Sequence, residues 1–453
     1  MAIAPPPSNS GASRTGSSRT ANRAYADRAT ERELRQAIRV EVDRLLADRQ
    51  LLAPGPQEEE QIRALIRDRV ASYQREHAEM NQPLLSDANG VAERIFNDLL
   101  RLGLLEPLMR DDRIEEVTCN GPGRVFVVQD GRKRLVDDLF FDEDEDLRAL
   151  VKRLIGPLGK RLDESSPMVD ATLPDGSRLN AAIPPATSSY LGTSVSIRKF
   201  ILGAYSLDEL TARGSLSESA AQFLDAAVQG GCNIVVSGPT GSGKTTMLNC
   251  LGACIASLDE RVVTCEEVAE LALERHLPDC VSLHARGGNL EGAGEIRIRD
   301  LVKNALRMRP TRIVVGEVRG AESLDMLMAM NTGHEGSLTT VHGNSPRDAL
   351  ERLTTLAMFA DEKLGHEALT RMVSRTIDLV VQLRFEPRTR RRRVESIFEV
   401  TGQDTGTITG NELWAIDPAT DRLTWTGIRP AALKRMAAKD IPYEPPLGEV
   451  RGA

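Results

Sequence analysis

Apolar positions in the first part of the chain recur every three or four residues, the spacing of amphipathic helices. This pattern covers residues 26–82 and breaks at Pro54-Gly55-Pro56, so it predicts a small module of at least two helices. The module either packs on its neighbour or docks a partner, and the pattern fits both. Residues 1–25 are rich in Ser, Pro, Gly and Arg without an apolar period, which predicts a disordered tail.

Residues 83–205 mix helical and alternating patterns, which predicts a separate α+β domain. Asn-Gly and Asp-Gly pairs mark turns between short strands. The predicted helices cover 91–102 and 143–158, and the predicted strands cover 115–120, 124–128, 133–136, a hairpin over 169–183, and 194–198.

Residues 206–453 alternate buried-strand runs with helices, the pattern of a parallel α/β sheet. The predicted strands end near Ser237, Cys265, Val315 and Val341. A hairpin is expected to join 377–383 to 393–400. The apolar residues after Thr401 show little periodicity, and their pattern predicts only a last helix near 430–438.

One loop between a predicted strand and a predicted helix matches G-x-x-x-x-G-K-[ST], the phosphate-binding motif. Its residues are Gly238, Pro239, Thr240, Gly241, Ser242, Gly243, Lys244, Thr245 and Thr246. Glycines let the backbone wrap a phosphate, and the helix N-terminus behind them adds partial positive charge. Lys244 is expected to reach the β- and γ-phosphates and Thr245 to bind Mg²⁺, which predicts ATP and Mg²⁺ as ligands.

Hydrolysis needs a carboxylate near the metal and a base that orients water. Glu317 follows the apolar strand 313–315, so it is a candidate to ligate Mg²⁺, directly or through water. Glu266 ends another strand beside Glu267 and Glu270 and is the first candidate for the base. The alternatives are an ordinary strand-end glutamate and a solvated acidic loop. Arg319 is expected to pair with nearby acids.

Four further residues could act on the γ-phosphate. His334 and His342 flank a strand, where an imidazole senses charge, although a histidine at a strand end is more often structural. Arg178 and Arg198 lie on strands of the preceding domain, and a guanidinium is always charged and bidentate. Arginine is also common on any surface.

Composition narrows the function classes. The net charge is −8 and aromatic residues make up 4% of the 453 residues, which argues against a specific nucleic-acid partner. The six cysteines form no C-x-x-C pairs, which fits a reduced, cytoplasmic setting. Apolar runs fall short of the roughly 18 residues of a membrane span, so membrane contact is expected to be peripheral.

The run from Gly294 to Leu350, with Gly316-Glu317-Val318-Arg319-Gly320 and the stretch from His334 to His342, resembles the secretion-ATPase superfamily of type II secretion, type IV secretion and type IV pili. Within it the chain resembles the CpaF-type ATPases of Flp (tight adherence) pili. The resemblance implies a RecA-like P-loop NTPase domain. It also implies a catalytic role for Glu266, an atypical Walker B acid at Glu317, a histidine box at His334 and His342, and phosphate contacts for Arg178 and Arg198. Glu267 stands where the family has Asp.

The resemblance further implies a homo-hexamer on the cytoplasmic face of the inner membrane, where it works a platform protein. Two alternatives stay open: a type IV secretion (conjugative) traffic ATPase, and a nucleotide-gated scaffold with little hydrolysis. The basic hairpin turn (Arg388 and Arg390 to Arg393) is either solvated or contacts anionic lipid or the platform protein.

Overall fold

The computed structural model describes residues 17–48, 55–129, 131–137, 139–200, 206–255, 257–288, 294–360 and 364–446. The chain forms two compact units, Met1–Lys199 and Phe200–Ala453, and each is described by itself. We expected the division at residue 205. In the part of the chain that the structure describes, no helix combines the length and the apolarity that crossing a membrane requires.

Three helices form a bundle in the first unit: α1 (Ser17–Asp48), α2 (Pro56–Glu79) and α3 (Ala88–Leu100). Their apolar faces meet in one core, where Ile62 and Ile95 are fully buried. Two predictions need correction. Helix α1 begins at Ser17, inside the segment predicted to be disordered, while residues 1–16 lie outside the described residues. Helix α3, predicted to open the α+β domain, packs on α1 and α2 because Ile95 and Phe96 face their core.

An antiparallel sheet of six strands, in the order β3-β2-β1-β6-β5-β4, makes up the rest of this unit. Alternate residues on one face pack on a helix, as Val117 of the sheet and Leu147 of the helix do. The elements are α4 (Glu106–Arg110), β1 (Ile114–Asn120), β2 (Val125–Gln129), β3 (Arg132–Leu135), α5 (Asp144–Ile155), β4 (Met168–Thr172), β5 (Arg178–Ala182) and β6 (Ser194–Arg198). The predicted strands are confirmed.

The second unit is built on a nine-stranded sheet in the order β15-β14-β13-β12-β7-β11-β10-β8-β9. Strands β12, β7, β11, β10, β8 and β9 are parallel, as predicted for this domain. The elements are α6 (Leu207–Ala212), α7 (Glu218–Gln229), β7 (Ile234–Gly238), α8 (Lys244–Ala253), β8 (Val262–Glu266), β9 (Cys280–His284), α9 (Ile298–Ala305), β10 (Arg312–Val315), α10 (Glu322–Asn331), β11 (Leu338–His342), α11 (Pro346–Met358), α12 (His366–Thr376), β12 (Leu379–Phe385), β13 (Arg392–Asp404), β14 (Thr407–Asp417), β15 (Arg422–Trp425) and α13 (Leu433–Ala438).

Helices cover both faces of this sheet because its central strands are apolar on both sides. Val236 of β7 packs towards α7 and α8, and its neighbour Val235 packs towards α10, α11 and α12. The strands β14 and β15 were not predicted. The register between β13 and β14 shifts at two places, after Ile397 and after Val400, which interrupts the period of two by which strands are recognised.

Candidate functional site

The parallel strands bring the predicted chemical groups to one edge of the sheet. Gly238 ends β7 and is the register partner of His342, which ends β11. Glu266 ends β8, and Glu317 lies two residues beyond the end of β10. Carboxyl ends of adjacent parallel strands form the crevice in which α/β proteins bind ligands. The structure therefore collects four of the predicted site residues in one place.

The phosphate loop runs from this edge into helix α8. Gly241 and Gly243 have φ values of 75° and 93°, a left-handed backbone that favours glycine. Lys244 is buried, and its Nζ donates to the carbonyl oxygens of Gly238 and Pro239, each at 3.2 Å. Buried Ser242 Oγ has no hydrogen-bond partner within the described ranges. A lysine held at the loop and an unsatisfied hydroxyl inside it suit an anionic ligand.

The side chain of His342 lies between Lys244 of the phosphate loop and Glu317, which follows β10. Its Nδ1 lies 3.3 Å from Nζ of Lys244, and its Nε2 lies 2.8 Å from Oε1 of Glu317. The lysine can only donate, so Nδ1 accepts and the neutral ring carries its proton on Nε2, beside the carboxylate, without an aligned hydrogen bond to Oε1 among the described residues. Burial and the lysine charge lower the pKa of His342. Arg319 donates to Oε2 of Glu317 at 2.6 Å and to Glu267 at 2.7 Å, which confirms its predicted pairing with acids.

Glu266 is almost fully buried, with 2% of its surface exposed. Its Oε1 accepts the backbone N–H groups of Glu270 and Leu271 at 2.9 and 2.8 Å. Its Oε2 receives no hydrogen bond from the described residues and lies 3.8 Å from Nε2 of His284, which ends β9. Burial raises the pKa of Glu266 to about 8, against the lowering effect of the two hydrogen bonds. Such a carboxyl can take up a proton near neutral pH.

Two side chains whose oxygen atoms could bind a metal ion, Thr245 and Glu270, meet beside the loop. Thr245 Oγ1 donates to Oε2 of Glu270 at 3.0 Å, and Asn249 holds the carbonyl of Glu270 at 3.1 Å. A hydroxyl and a carboxylate are hard ligands that fit Mg²⁺. In the described residues no group of three or more His, Cys, Asp or Glu side chains could hold a metal.

A family model for type II/IV secretion system proteins matches residues 99–409. The chain belongs to this family. A putative conjugal transfer protein of Mycobacterium tuberculosis is 37% identical over 71% of this chain and 90% of its own length. The type IV secretion system protein VirB11 of Bartonella henselae is 29% identical over 71% of this chain and 96% of its own. The solved VirB11 ATPase of Brucella suis, in complex with sulphate, is 29% identical, with 71% of this chain and 94% of that chain covered and a TM-score of 0.34.

The chain is therefore a secretion-family ATPase, as the resemblance carried by the run from Gly294 to Leu350 predicted. Glu270 was noted in the sequence only as one of several crowded acids, whereas Glu317 was named as the metal ligand. In the structure both Glu317 oxygens face Arg319 and His342, while Glu270 is the acid that contacts Thr245. Residue types do not reveal which acid faces the loop, because the contact depends on how the chain turns after β8.

The structure does not bring His334 to this edge, which corrects the prediction of a same-chain phosphate contact. His334 precedes β11, so the strand carries it to the opposite edge, where its Nδ1 lies 3.1 Å from the carbonyl oxygen of Ala329. The strand from Leu338 to His342 spans four steps of about 3.3 Å, roughly 13 Å, so the two histidines lie at opposite ends of it.

Arg178 and Arg198 are cross-strand neighbours on β5 and β6 of the first unit. Arg198 is exposed and Arg178 is half-buried. Their approach to the phosphates of this secretion-family ATPase stays a prediction, since it concerns the other unit.

Two arginines of the basic hairpin turn, Arg392 and Arg393, make specific contacts with other parts of the second unit. Arg393 is buried, and it donates to Oδ1 of Asp421 at 2.7 Å and also to Glu386. Arg392 reaches the phosphate loop, where its Nε donates to the carbonyl oxygen of Gly241 at 2.9 Å. The sequence predicted either a solvated turn or a contact with lipid or the platform protein, and it gave no sign of this contact because 151 positions separate Arg392 from Gly241.

Proposed function

We propose that this ATPase is the Mg²⁺-dependent motor of a Flp (tight adherence) pilus. It would act as a homo-hexamer on the cytoplasmic face of the inner membrane and drive a platform protein that adds pilin subunits. The observation that carries the catalytic part is the line of contacts from Lys244 through His342 to Glu317, at the same sheet edge as the buried Glu266. The CpaF-type motifs from residue 294 to 350 support the pilus role.

In the proposed mechanism Lys244 holds the β- and γ-phosphates, and His342 fixes the positions of Lys244 and Glu317. Thr245 and Glu270 would hold Mg²⁺, which supplies neutralising charge for the phosphate oxygens when bound. Glu266 orients the attacking water and accepts its proton when it is ionised; because its pKa is raised to about 8, the ionised fraction, and with it turnover, should increase as the pH rises through 8. Arg178 and Arg198 would contact the γ-phosphate, which is the role that the family resemblance gives them.

The test of hydrolysis compares three alanine variants. Lys244→Ala should lose nucleotide binding, whereas Glu266→Ala should bind ATP and fail to turn it over. Glu351→Ala, an exposed acid on α11, is the matched control and should keep wild-type turnover. Full turnover in Glu266→Ala would exclude Glu266 as the base. A single-turnover assay separates this motor from a nucleotide-gated scaffold, which would bind ATP and barely hydrolyse it.

A second candidate is a traffic ATPase of a type IV secretion (conjugative) system, and the names of two relatives favour it. The acidic balance of the chain disfavours direct contact with DNA. Lys244→Ala in the organism that encodes the chain distinguishes the two machines. Loss of surface fibres in electron micrographs with normal DNA transfer supports the pilus, and the reverse result supports conjugative secretion.

A further inference from the structure

We propose that Arg392 is a positioning residue for the phosphate loop and sets the loop conformation that binds ATP; this inference rests on the ATP-binding part of the proposed function. The contact is the hydrogen bond from Arg392 Nε to the Gly241 carbonyl oxygen at 2.9 Å. The side-chain stem also lies beside the loop, because a Cβ built on Gly243 would be 3.9 Å from Cδ of Arg392.

The tip of the loop has little packing of its own. Gly241 is exposed, its φ is 75°, and a Cβ added there would meet no described atom within 4 Å. A glycine in open space can adopt many backbone conformations. A hydrogen bond from another strand therefore restricts the tip in a way that the loop residues around it do not.

The hydrogen bond from Arg392 also fixes the orientation of the peptide unit between Gly241 and Ser242. In a trans peptide the C=O and the N–H point in opposite directions. Because the Gly241 carbonyl points out to Arg392, the N–H of Ser242 in the same peptide unit points into the loop, where it donates to the carbonyl oxygen of Pro239 at 3.3 Å. Inward N–H groups bind the ligand of a phosphate loop, and here a phosphate would replace the Pro239 carbonyl oxygen as the acceptor of this N–H.

Arg392 is itself held firmly at the start of β13. It pairs with Phe385 of β12, and its guanidinium lies 5.7 Å from the centre of that ring. The next residue, Arg393, is anchored by Asp421 and Glu386, and the N–H of Val394 donates to the carbonyl oxygen of Ser215 at 2.9 Å. Strand β12 lies directly beside β7, the strand that leads into the loop. The hairpin thus acts as a fixed support from which the guanidinium reaches the loop.

A residue that positions the loop should affect ATP affinity and spare the chemical step. Loss of one charge-assisted hydrogen bond at an exposed site should raise KM for ATP about threefold, while kcat stays within about twofold. Arg392→Lys keeps a donor and should recover most of the affinity. Arg388→Ala removes the same charge from an exposed position in the same hairpin and is the matched control.

The experiment measures KM and kcat for ATP, together with thermal unfolding without nucleotide, for Arg392→Ala, Arg392→Lys, Arg388→Ala and Lys244→Ala. A KM raised in Arg392→Ala but not in Arg388→Ala, with rescue by lysine and unchanged unfolding, supports the inference. A KM equal to that of Arg388→Ala, or a lowered kcat at unchanged KM, overturns it. If Arg392→Ala does not fold, the lysine variant decides, since wild-type KM supports the inference and a fully raised KM with unchanged unfolding overturns it. Wild-type ATP binding in Lys244→Ala would instead refute the ATP site itself.

Discussion

Replacing Glu266 by Gln should stabilise the second unit, and the gain should grow with pH. Burial raises the pKa of this carboxyl from 4.5 to about 8. Between these values the folded protein keeps a proton that the unfolded chain releases, so folding loses stability as pH rises through this window. At about 1.4 kcal/mol per pH unit the loss approaches about 4 kcal/mol between pH 5 and pH 9. Glutamine carries no charge and still offers an oxygen to the N–H groups of Glu270 and Leu271.

Tryptophan fluorescence provides a direct assay, because both tryptophans of the chain, Trp414 and Trp425, are buried in the second unit. Urea unfolding of the wild type and of Glu266→Gln is followed at pH 5, 7 and 9. The two proteins should be similar at pH 5, and the variant should be more stable by about 3 to 4 kcal/mol at pH 9. The neighbouring Glu270, Glu274 and His284 are the same in both proteins, so their contributions to the stability largely cancel in the difference.

A difference that is independent of pH would refute the reasoning, because it would mean that Glu266 is ionised in the folded protein throughout this range. A variant less stable than the wild type at pH 9 would refute it as well. The same variant tests the chemistry, because glutamine cannot accept the proton of water. Retained turnover together with the expected stabilisation would leave the burial argument standing and remove Glu266 from the role of base.

Three further predictions concern the histidines, the metal requirement and the stability of the helical bundle. His342→Ala should lower kcat about 10- to 100-fold in steady-state assays, by the usual size of a lost positioning group, whereas His334→Ala should leave nucleotide binding by the same chain unchanged. Glu270→Gln should raise the Mg²⁺ concentration needed for half-maximal turnover about tenfold, which is measured by metal titration at fixed ATP. Phe96→Ala should destabilise the helical bundle by about 3 to 5 kcal/mol, seen as a lowered helical melting transition by circular dichroism, because this ring is fully buried.

The residues at this edge of the sheet could be predicted because the end of each strand is visible in the sequence. Apolar runs stop at Ser237, Cys265 and Val315, and polar or glycine residues follow at once. Parallel strands then place those ends together, whatever the order of the strands. The same rule, applied more strictly, would have set His334 apart from His342, since only the residue at the carboxyl end of β11 can share an edge with the phosphate loop.

The contacts that complete the site could not be predicted from the sequence, because they join residues that are far apart along the chain. Glu270 contacts Thr245 over 25 positions and Arg392 contacts Gly241 over 151. Neither pair has a local spacing that marks it. Helix α3 shows the same limit in a different way. Its amphipathic pattern predicted a helix correctly, but an apolar face does not specify which neighbour covers it.

The arrangement around Glu266 is costly for folding, and its cost argues for function. A buried carboxyl with one unpaired oxygen destabilises a fold, whereas an amide there would keep an acceptor for the N–H groups of Glu270 and Leu271 and carry no charge. Its other oxygen is tied to the backbone N–H of Glu270, whose carboxylate contacts Thr245. Binding of Mg²⁺ by Thr245 and Glu270 would therefore act on Glu266 through one hydrogen bond. That short connection gives the site a means to adjust the candidate base only when metal and nucleotide are present.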